Sequence, residues 1–419
     1  MDFNFFFFVW LDTLITINSG NHHYKEYLKT YLSYDEQYKK SVLSSSGWYS
    51  EDPASKGSIR DNKAFFKRLR HFAQVDEKLS TVKKYNDTAS TLFGSIGTDF
   101  AGTVLNGVSV RLTYQLADPK FFLWGKRKDG TPLDQKFDIA IDKFVLHSCS
   151  RDITPDLYET IEKRLQTEPA VLPYKRYHLT PFTISQGLLE YINDAVIVSP
   201  VIVPCRAFFC LVPSRLYDAD YGSDPYVFGF RKTVQENVVS NVQNTQPSTT
   251  TTTGDAVAAA KSATGAETSE STVDEELDQL MVISAMPAAK ESLENEVVKF
   301  QVTMNGVDID GLNSSSLEEM AFFRLNKYLG YLNSHNSNSI SLEEFKNGSQ
   351  IFAFDFSTSL STSNDFLVPS VKSGHLRASI QFRTPTKEPY HLLVLSEYDS
   401  LITISSSERG RIIGTNYTI

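Results

Sequence analysis

The amino-acid sequence predicts a mainly β fold, and three observations support this class. Aromatic residues make up 12% of the chain, with 28 Phe and 20 Tyr, and aromatic side chains favour strands. Many short segments alternate apolar and polar residues with a period of two, as half-buried strands do. Turn dipeptides separate them, such as Asn305-Gly306, where both residues tolerate the positive φ of a tight hairpin. Short strands joined by such turns are typical of sandwiches, jelly rolls and barrels.

The chain begins with an apolar run, residues 5–11, which we expect to form buried β-structure. The run is far shorter than the roughly 20 residues that span a bilayer. Asp2 and Asp12 flank it, whereas a signal peptide would start with a positive region. We therefore expect neither membrane association nor secretion.

One helix stands out among the predicted strands, in the segment "TPDLYETIEKRLQ". Thr154 is a candidate N-cap and Pro155 takes the first helical position. Leu157, Ile161 and Leu165 form an i, i+4 apolar stripe. The helix separates two β-rich blocks, so we predict a first domain at 1–150, a connecting helix and linker at 151–171, and a second domain at 172–419, in line with a length of 419 residues.

A long stretch, residues 231–299, contains no Phe, Tyr or Trp. Its centre is rich in Thr, Ser, Ala and Glu and has little apolar surface to bury. Such a segment cannot offset its ordering entropy. We predict a disordered insertion at about 236–295 within the second domain.

Charge and cysteine content exclude two broad classes of protein. The formal net charge is −9, which argues against direct nucleic-acid binding, because that affinity depends mainly on Lys and Arg at phosphates. The three cysteines, Cys149, Cys205 and Cys210, form no CxxC motif. A disulfide framework is therefore not expected, and Cys205 and Cys210 are predicted to be core residues.

Motifs for catalysis or cofactor binding are missing, so we predict a protein that is not an enzyme and has no metal or cofactor. The sequence contains no GxSxG, HExxH, GxxxxGK[ST] or GxGxxG. The adjacent pair His22-His23 would point to opposite faces of a strand. Glu397 and Asp399 share one strand face and could do acid–base chemistry, but without a partner base they are expected to be surface charges.

The stretch "NSHNSNSISLEEFKNG", residues 333–348, resembles the end of a calcium loop. Aligned as such a loop, it offers Glu344 as the single carboxylate at a ligand position and Asn338 where Gly makes the sharp turn. A predicted strand follows, where a calcium-binding hand needs a second helix. We therefore predict no calcium site.

The same stretch and the sequence after it are similar to the C-terminal region of the double jelly-roll major capsid proteins of Polinton/Maverick-type elements, related viruses and uncharacterised animal homologues. The shared pattern is a Glu-Glu-aromatic-Lys-Asn-Gly turn, a Phe-x-Phe-Asp strand, a Gly-x-Leu-Arg unit and a closing Glu-Tyr-Asp. The matching residues are Glu343, Glu344, Phe345, Lys346, Asn347, Gly348, Phe352, Phe354, Asp355, Gly374, Leu376, Arg377, Phe382, Glu397, Tyr398 and Asp399. Upstream, "YKEYLKTYLSYDEQYKKSVLSSSGWYSE" and "LNGVSVRLTYQLADPKFFLW" resemble segments of the family's first domain.

The resemblance implies a double jelly roll with a short connecting helix, whose first jelly roll would lack its initial strands. It implies a structural capsid subunit that self-assembles into pseudo-hexagonal homotrimers and a capsid lattice of a virus or virus-like transposable element. Minor capsid or penton proteins would be further partners. The expected location is the virion or capsid, in the cytoplasm or nucleus of the host cell.

Two alternatives remain open from the sequence. The chain could be a non-enzymatic β-sandwich module that binds glycans or peptides, because jelly rolls also occur in lectins. Trp48 and Trp124 would then be the candidate contacts. It could also be a host-resident relic of a capsid gene.

Overall fold

The computed structural model describes residues 3–9, 13–16, 21–46, 48–49, 73–76, 81–85, 110–116, 118–121, 152–193, 203–218, 228, 297–309, 312–313, 317–332, 335–346, 348–357, 374–407 and 410–415. Strands dominate these residues and the helices are short, which confirms the predicted mainly β class.

The helices lie around the strands. Their bounds are α1 His22–Ser33, α2 Glu36–Ser41, α3 Pro155–Thr167, α4 Ser214–Tyr217, α5 Leu317–Tyr328 and α6 Leu342–Lys346. Short 3-10 turns occupy Leu43–Ser46 and Pro119–Phe121.

The strands are numbered in chain order. Their bounds are β1 Phe3–Val9, β2 Thr13–Thr16, β3 Ala73–Asp76, β4 Thr81–Tyr85, β5 Val110–Leu116, β6 Ala170–Ile184, β7 Glu190–Asn193, β8 Arg206–Pro213, β9 Val297–Met304, β10 Val307–Asp308, β11 Leu312–Asn313, β12 Ile351–Asp355, β13 Leu376–Phe382, β14 Tyr390–Ser407 and β15 Gly410–Thr415.

Strands β6 to β14 form two antiparallel sheets with a regular order. Sheet A runs β6-β14-β8-β12 and sheet B runs β7-β13-β9-β10. Counted along the chain, with β11 left aside, the eight strands pair first with eighth, second with seventh, third with sixth and fourth with fifth. This is the order of a long hairpin wrapped over on itself, and such a two-sheet wrap of eight strands is a jelly roll.

The long strand β14 ties sheet A together. It pairs with β6 along Tyr390–Ile404. Its other edge pairs first with β8 and then, from Ile402 onwards, with β15. Strand β14 therefore pairs with three strands of this sheet, and β12 joins it through β8.

Aromatic side chains fill the space between the two sheets. Phe300 of sheet B lies 5.3 Å from Phe209, 4.7 Å from Phe352 and 5.6 Å from Phe354, all measured between ring centroids. All four rings are at most 2% exposed. Their stacked and edge-to-face packing is the arrangement that aromatic rings prefer.

The predicted alternation of apolar and polar residues is confirmed in sheet B. In β13 the side chains of Leu376, Ala378, Ile380 and Phe382 are buried, while Arg377 is exposed. In sheet A, all of β12 and nearly all of β8 are buried. That sheet is covered on both faces, and α1 packs against β6 while α5 packs against β12.

The predicted Asn-Gly hairpin is confirmed between β9 and β10. Asn305 and Gly306 have φ values of 53° and 81°. Two successive positive φ values belong to the turn type whose twist matches paired strands, and Asn-Gly adopts it at little cost.

The helix predicted after Thr154 is observed as α3, with Pro155 in its first turn, and its role as a connector between two domains stays a prediction. Its N-cap, Thr154, makes no capping hydrogen bond with its side chain. Only the C-terminal end of the predicted stripe is buried: Leu165 is 5% exposed, whereas Leu157 is 49% exposed. Most of the apolar face of α3 therefore lies outside the core of the described residues.

The N-terminal run is β-structure as predicted, and β1 pairs with β2 and β5 on its two edges. The helix α1, which the sequence did not predict, contributes Tyr24, Leu28 and Leu32 to the core cluster that contains the jelly-roll residues. The domain limits at 150 and 172 stay predictions. The predicted insertion at 236–295 lies outside the described residues.

Candidate functional site

The Glu-Tyr-Asp segment lies within β14, and here the prediction of surface charge is wrong. Glu397 is 3% exposed. Its Oε1 accepts hydrogen bonds from Lys175 Nζ of β6 at 2.7 Å and from Arg206 Nη2 of β8 at 2.5 Å. The central position of β14 explains this burial, because neighbouring strands flank it on both edges. Arg206 also donates to the carbonyl of Tyr328 at the end of α5.

The electrostatics of this group, which we call the Glu397 network (Glu397, Arg206 and Lys175), favour its charged form. Burial alone would raise the pKa of Glu397, but the charges of Arg206 and Lys175 hold it below its usual value. A buried carboxylate needs such partners, because an unpaired charge in the interior is costly.

Cys205 lies next to the Glu397 network and is a core residue, as predicted. It is 7% exposed and its thiol donates to Asp399 Oδ2 at 3.3 Å. Burial raises the pKa of Cys205 to about 12, so its thiol is protonated and a poor nucleophile. Cys210 is fully buried as predicted.

The Glu-Glu-Phe-Lys-Asn-Gly turn holds α1 to the jelly roll. Glu343 lies in the first turn of α6 and is exposed, whereas Phe345 is fully buried. Glu344 Oε1 accepts a hydrogen bond of 2.9 Å from the hydroxyl of Tyr31 in α1. Lys346 pairs with Glu319 of α5. Asn347 lies outside the described residues.

Gly348 closes this turn where two chain segments meet. Its φ is 110°, which favours glycine. Its carbonyl accepts a hydrogen bond from the backbone N–H of Phe228 at 2.8 Å. The turn is therefore fixed to a distant part of the chain.

The side chain of Lys39, from α2, is hydrogen-bonded to the calcium-like loop before this turn. Lys39 Nζ donates to the carbonyl of Asn338 at 2.6 Å and to that of Tyr31 at 2.7 Å. The loop is flanked by α5 before it and, after the short α6, by strand β12. Within the described residues, no three His, Cys, Asp or Glu side chains group as metal ligands do.

The remaining matched residues serve the sandwich. Phe352 and Phe354 lie between the sheets, and Asp355 Oδ1 accepts a hydrogen bond from the backbone N–H of Ser357 at 2.8 Å. Tyr398 is 2% exposed, and the Arg176 guanidinium lies 4.5 Å from its ring centroid. Leu376, Arg377 and Phe382 belong to β13.

Gly374 precedes β13 at a close approach of two segments. A Cβ at this position would lie 3.1 Å from Asn305 Nδ2 and 3.1 Å from Val203 Cγ2. The side chain of Asn305 also accepts a hydrogen bond from the backbone N–H of His375 at 2.9 Å. The glycine thus permits the contact between the Asn-Gly turn and the start of β13.

Many of the sequence-matched residues lie in the apolar core, and two others, Glu397 and Glu344, each belong to a polar cluster. One cluster is the Glu397 network. The other, which we call the Lys39 cluster, comprises Lys39, Tyr31, Asn338 and Glu344. Sequence reasoning missed Lys39, Arg206 and Lys175, because their partners lie 191 to 299 residues away along the chain.

Other candidate residues have structural surroundings. The pair His22-His23 begins α1 and is not in a strand, which corrects the geometry assumed from the sequence. Trp48 is half-buried and packs 5.5 Å from Tyr27, centroid to centroid. Trp124 lies outside the described residues. Among the helices that the structure describes, none is long and apolar enough to cross a membrane.

Comparisons with known proteins yield structural neighbours alone. No family model matches the sequence, and no curated protein matches it. A quasi-atomic model of the PBCV-1 virus capsid has a TM-score of 0.31 and 8% identity, covering 60% of this chain and 52% of that chain. The crystal structure of the mavirus major capsid protein has a TM-score of 0.25 and 10% identity, covering 60% and 42%. This chain thus spans about half the length of these neighbours. The neighbours are viral capsid proteins, but TM-scores this low carry no argument about function.

Proposed function

We propose that the chain is a structural capsid subunit of the double jelly-roll type, which self-assembles into pseudo-hexagonal trimers and then into a lattice. The observation that carries the proposal is the strand order of residues 170–407, which is that of a jelly roll. A separate antiparallel sheet, β2-β1-β5, is formed by strands that precede the jelly roll in the chain. Two jelly rolls side by side would give one chain a repeated shape, so that three chains approximate a hexagon.

Fold alone does not select a function, because jelly rolls host both capsid and lectin domains. Two further features favour assembly over ligand binding. Among the matched residues of β12, β13 and β14, the apolar side chains are buried in the sandwich, and Glu397 is engaged by Lys175 and Arg206. Trp48, a candidate ligand contact, packs against Tyr27.

The outward faces of two helices offer apolar surface for subunit contacts. On α5, Met320 is 44% exposed and Phe323 is 51% exposed, one turn apart. On α3, Leu157 and Tyr158 are 49% and 39% exposed. Grouped apolar side chains on a surface mark interaction sites, and a closed trimer would bury such patches in repeated contacts.

The test is the effect of surface charge on assembly. Phe323→Asp places a carboxylate in the α5 patch and should shift the trimer towards monomer in sedimentation velocity, with an unchanged circular dichroism spectrum of the folded chain. Val307→Asp is the matched control, because Val307 is 69% exposed at the β9–β10 hairpin, away from the grouped residues of the two helices. Loss of the trimer in both variants, or in neither, would count against the α5 patch as a subunit contact.

The proposal also sets location and partners. The subunit would reside in the virion or capsid, and its main partner would be further copies of itself, with minor capsid or penton proteins at special positions. The element of origin would be a Polinton-like transposable element or a related virus. A host-resident relic of such a gene would keep the fold and lose the assembly.

A further inference from the structure

The Lys39 cluster places a buried lysine amine against the backbone of a buried asparagine. Lys39 is 1% exposed and Asn338 is fully buried. Lys39 Nζ donates a hydrogen bond of 2.6 Å to the backbone carbonyl of Asn338, a residue 299 positions away. A second bond of 2.7 Å, to the carbonyl of Tyr31, fixes the amine from the side of α1. The amine is therefore fixed at the backbone of the asparagine whose side chain is the proposed partner.

The carboxamide of Asn338 is arranged as an electrophile. Its Oδ1 accepts a hydrogen bond of 3.1 Å from the backbone N–H of Ile340. Such a donor stabilises negative charge that develops on this oxygen during nucleophilic attack. Its Nδ2 is buried and has no hydrogen-bond partner, so no contact holds the group that would leave. Ser339, the next residue, has a φ of 68°, a strained value that fixes the turn.

The amine is suited to be the nucleophile. Burial lowers the pKa of Lys39 to about 8, against the opposing charges of Glu344, Asp35 and Glu36. A lysine amine attacks carbonyl carbon only in its neutral form, and desolvation increases the neutral fraction near neutral pH. In water the same side chain would be almost entirely protonated.

We propose that Lys39 and Asn338 form an intramolecular isopeptide bond after folding. The lone pair of Lys39 Nζ attacks Asn338 Cγ and a Cγ–Nζ bond forms. The Cγ–Nδ2 bond then breaks, and Nδ2 leaves as ammonia with one proton taken from the attacking amine. Bond formation and bond breakage balance, so the step requires no oxidant, reductant or other reactant.

Glu344 supplies the proton transfer. Its Oε1 accepts a hydrogen bond of 2.9 Å from the hydroxyl of Tyr31, and Lys39 Nζ lies 4.9 Å from the centroid of the Tyr31 ring. Among the carboxylates that raise the pKa of Lys39, Glu344 has the largest effect. Glu344 would take the proton from the amine and return it to the departing nitrogen.

The bond would join two parts of the chain that are far apart in sequence. Residues 22–41 carry α1 and α2, and residues 335–346 lead into the turn after α5. A covalent link over 299 positions removes more freedom from the unfolded chain than a link between near neighbours. The two segments would stay joined when the rest of the protein unfolds.

Intact-mass spectrometry of the purified full chain tests the proposal. The expected mass is lower than the sequence mass by one molecule of ammonia, and a protease digest should contain one branched peptide that joins Lys39 to Asn338. An unchanged mass after prolonged incubation of the folded protein would overturn the proposal. So would the same mass loss without the branched peptide, because cyclisation of Asn338 onto its own backbone also releases ammonia.

Variants separate the chemistry from effects on folding. Lys39→Met should abolish the mass loss, whereas Lys40→Met should keep it, because Lys40 is the exposed neighbour that pairs with Glu36. Glu344→Gln keeps an oxygen acceptor for Tyr31 and should slow bond formation by about a hundredfold. Full-rate bond formation in folded Glu344→Gln would refute the role of Glu344, and the branched peptide in Lys39→Met would refute the assignment.

Discussion

The aromatic layer between the two sheets and the two polar clusters are held together in different ways. Between the sheets, Phe209, Phe300, Phe352 and Phe354 pack ring against ring. In the polar clusters, Glu397 and Lys39 are also buried but depend on particular partners. Apolar burial is non-directional and tolerates exchange among similar shapes. Buried ion pairs require their partners, so these clusters select the positions of α1 and α5 on a sandwich that apolar burial stabilises.

The largest loss of stability should come from the interior. Phe300→Ala removes the ring that contacts three others, and it should lower the free energy of unfolding by about 4 kcal/mol. Urea denaturation followed by fluorescence measures this change. Val307→Ala is the surface control, because Val307 is 69% exposed and should cost under about 1 kcal/mol. Equal losses in the two variants would contradict the assigned core.

The Glu397 network should be nearly as sensitive as the core. Arg206→Met leaves Glu397 buried with Lys175 alone, and the expected loss is about 3 kcal/mol. Arg215→Met removes a comparable pair with Glu388, also at 3.0 Å or less, but one whose side chains are 32% and 26% exposed. That loss should stay below about 1 kcal/mol. A smaller effect at Arg206 than at Arg215 would refute the distinction between buried and exposed pairs.

Acid should weaken the network but not the apolar interior. The pKa of Glu397 is lower in the folded chain than its ordinary value of 4.5. Its contribution is therefore complete above the unfolded pKa and is lost as the pH falls through the folded pKa. Urea midpoints measured from about pH 6 to about pH 3 should fall less steeply in Glu397→Gln than in the wild type. Parallel curves would show that Glu397 does not contribute to acid sensitivity.

The smallest effect should come from the turn beside the sandwich. Gly374→Ala forces Asn305 and Val203 to move by a few tenths of an ångström, and it should cost about 1 kcal/mol. Gly306→Asn adds a side chain where no atom lies within 4 Å, at a φ of +81° that Asn tolerates. The loss of stability, measured for both variants by thermal unfolding, should be smaller for Gly306→Asn than for Gly374→Ala. The reverse order would place the constraint in the backbone of the hairpin.

The sandwich could be predicted from the sequence, because alternation and turn chemistry are local. The pattern of β13 and the Asn305-Gly306 turn both formed as expected. Helix α1 also has a local sequence pattern, because its apolar residues recur at helical spacing. These residues, all buried, are Tyr24, Leu28, Tyr31 and Leu32.

The polar clusters could not be predicted in the same way. A carboxylate in an exposed strand and one in a central strand have the same local sequence, and only the pairing of β14 with β6 and β8 buries Glu397. Lys39 lies in the short helix α2, whose neighbours Lys40 and Ser41 are exposed. Its burial depends on Asn338, which the fold brings from 299 positions away.

The most direct test of the capsid proposal is the solution mass of the purified full chain, measured by light scattering behind a sizing column, with electron microscopy of the same peak. We expect a particle of three times 47.1 kDa with a hexagonal outline. A monomer that persists across protein and salt concentrations would contradict self-assembly, although the jelly-roll order of residues 170–407 would stand.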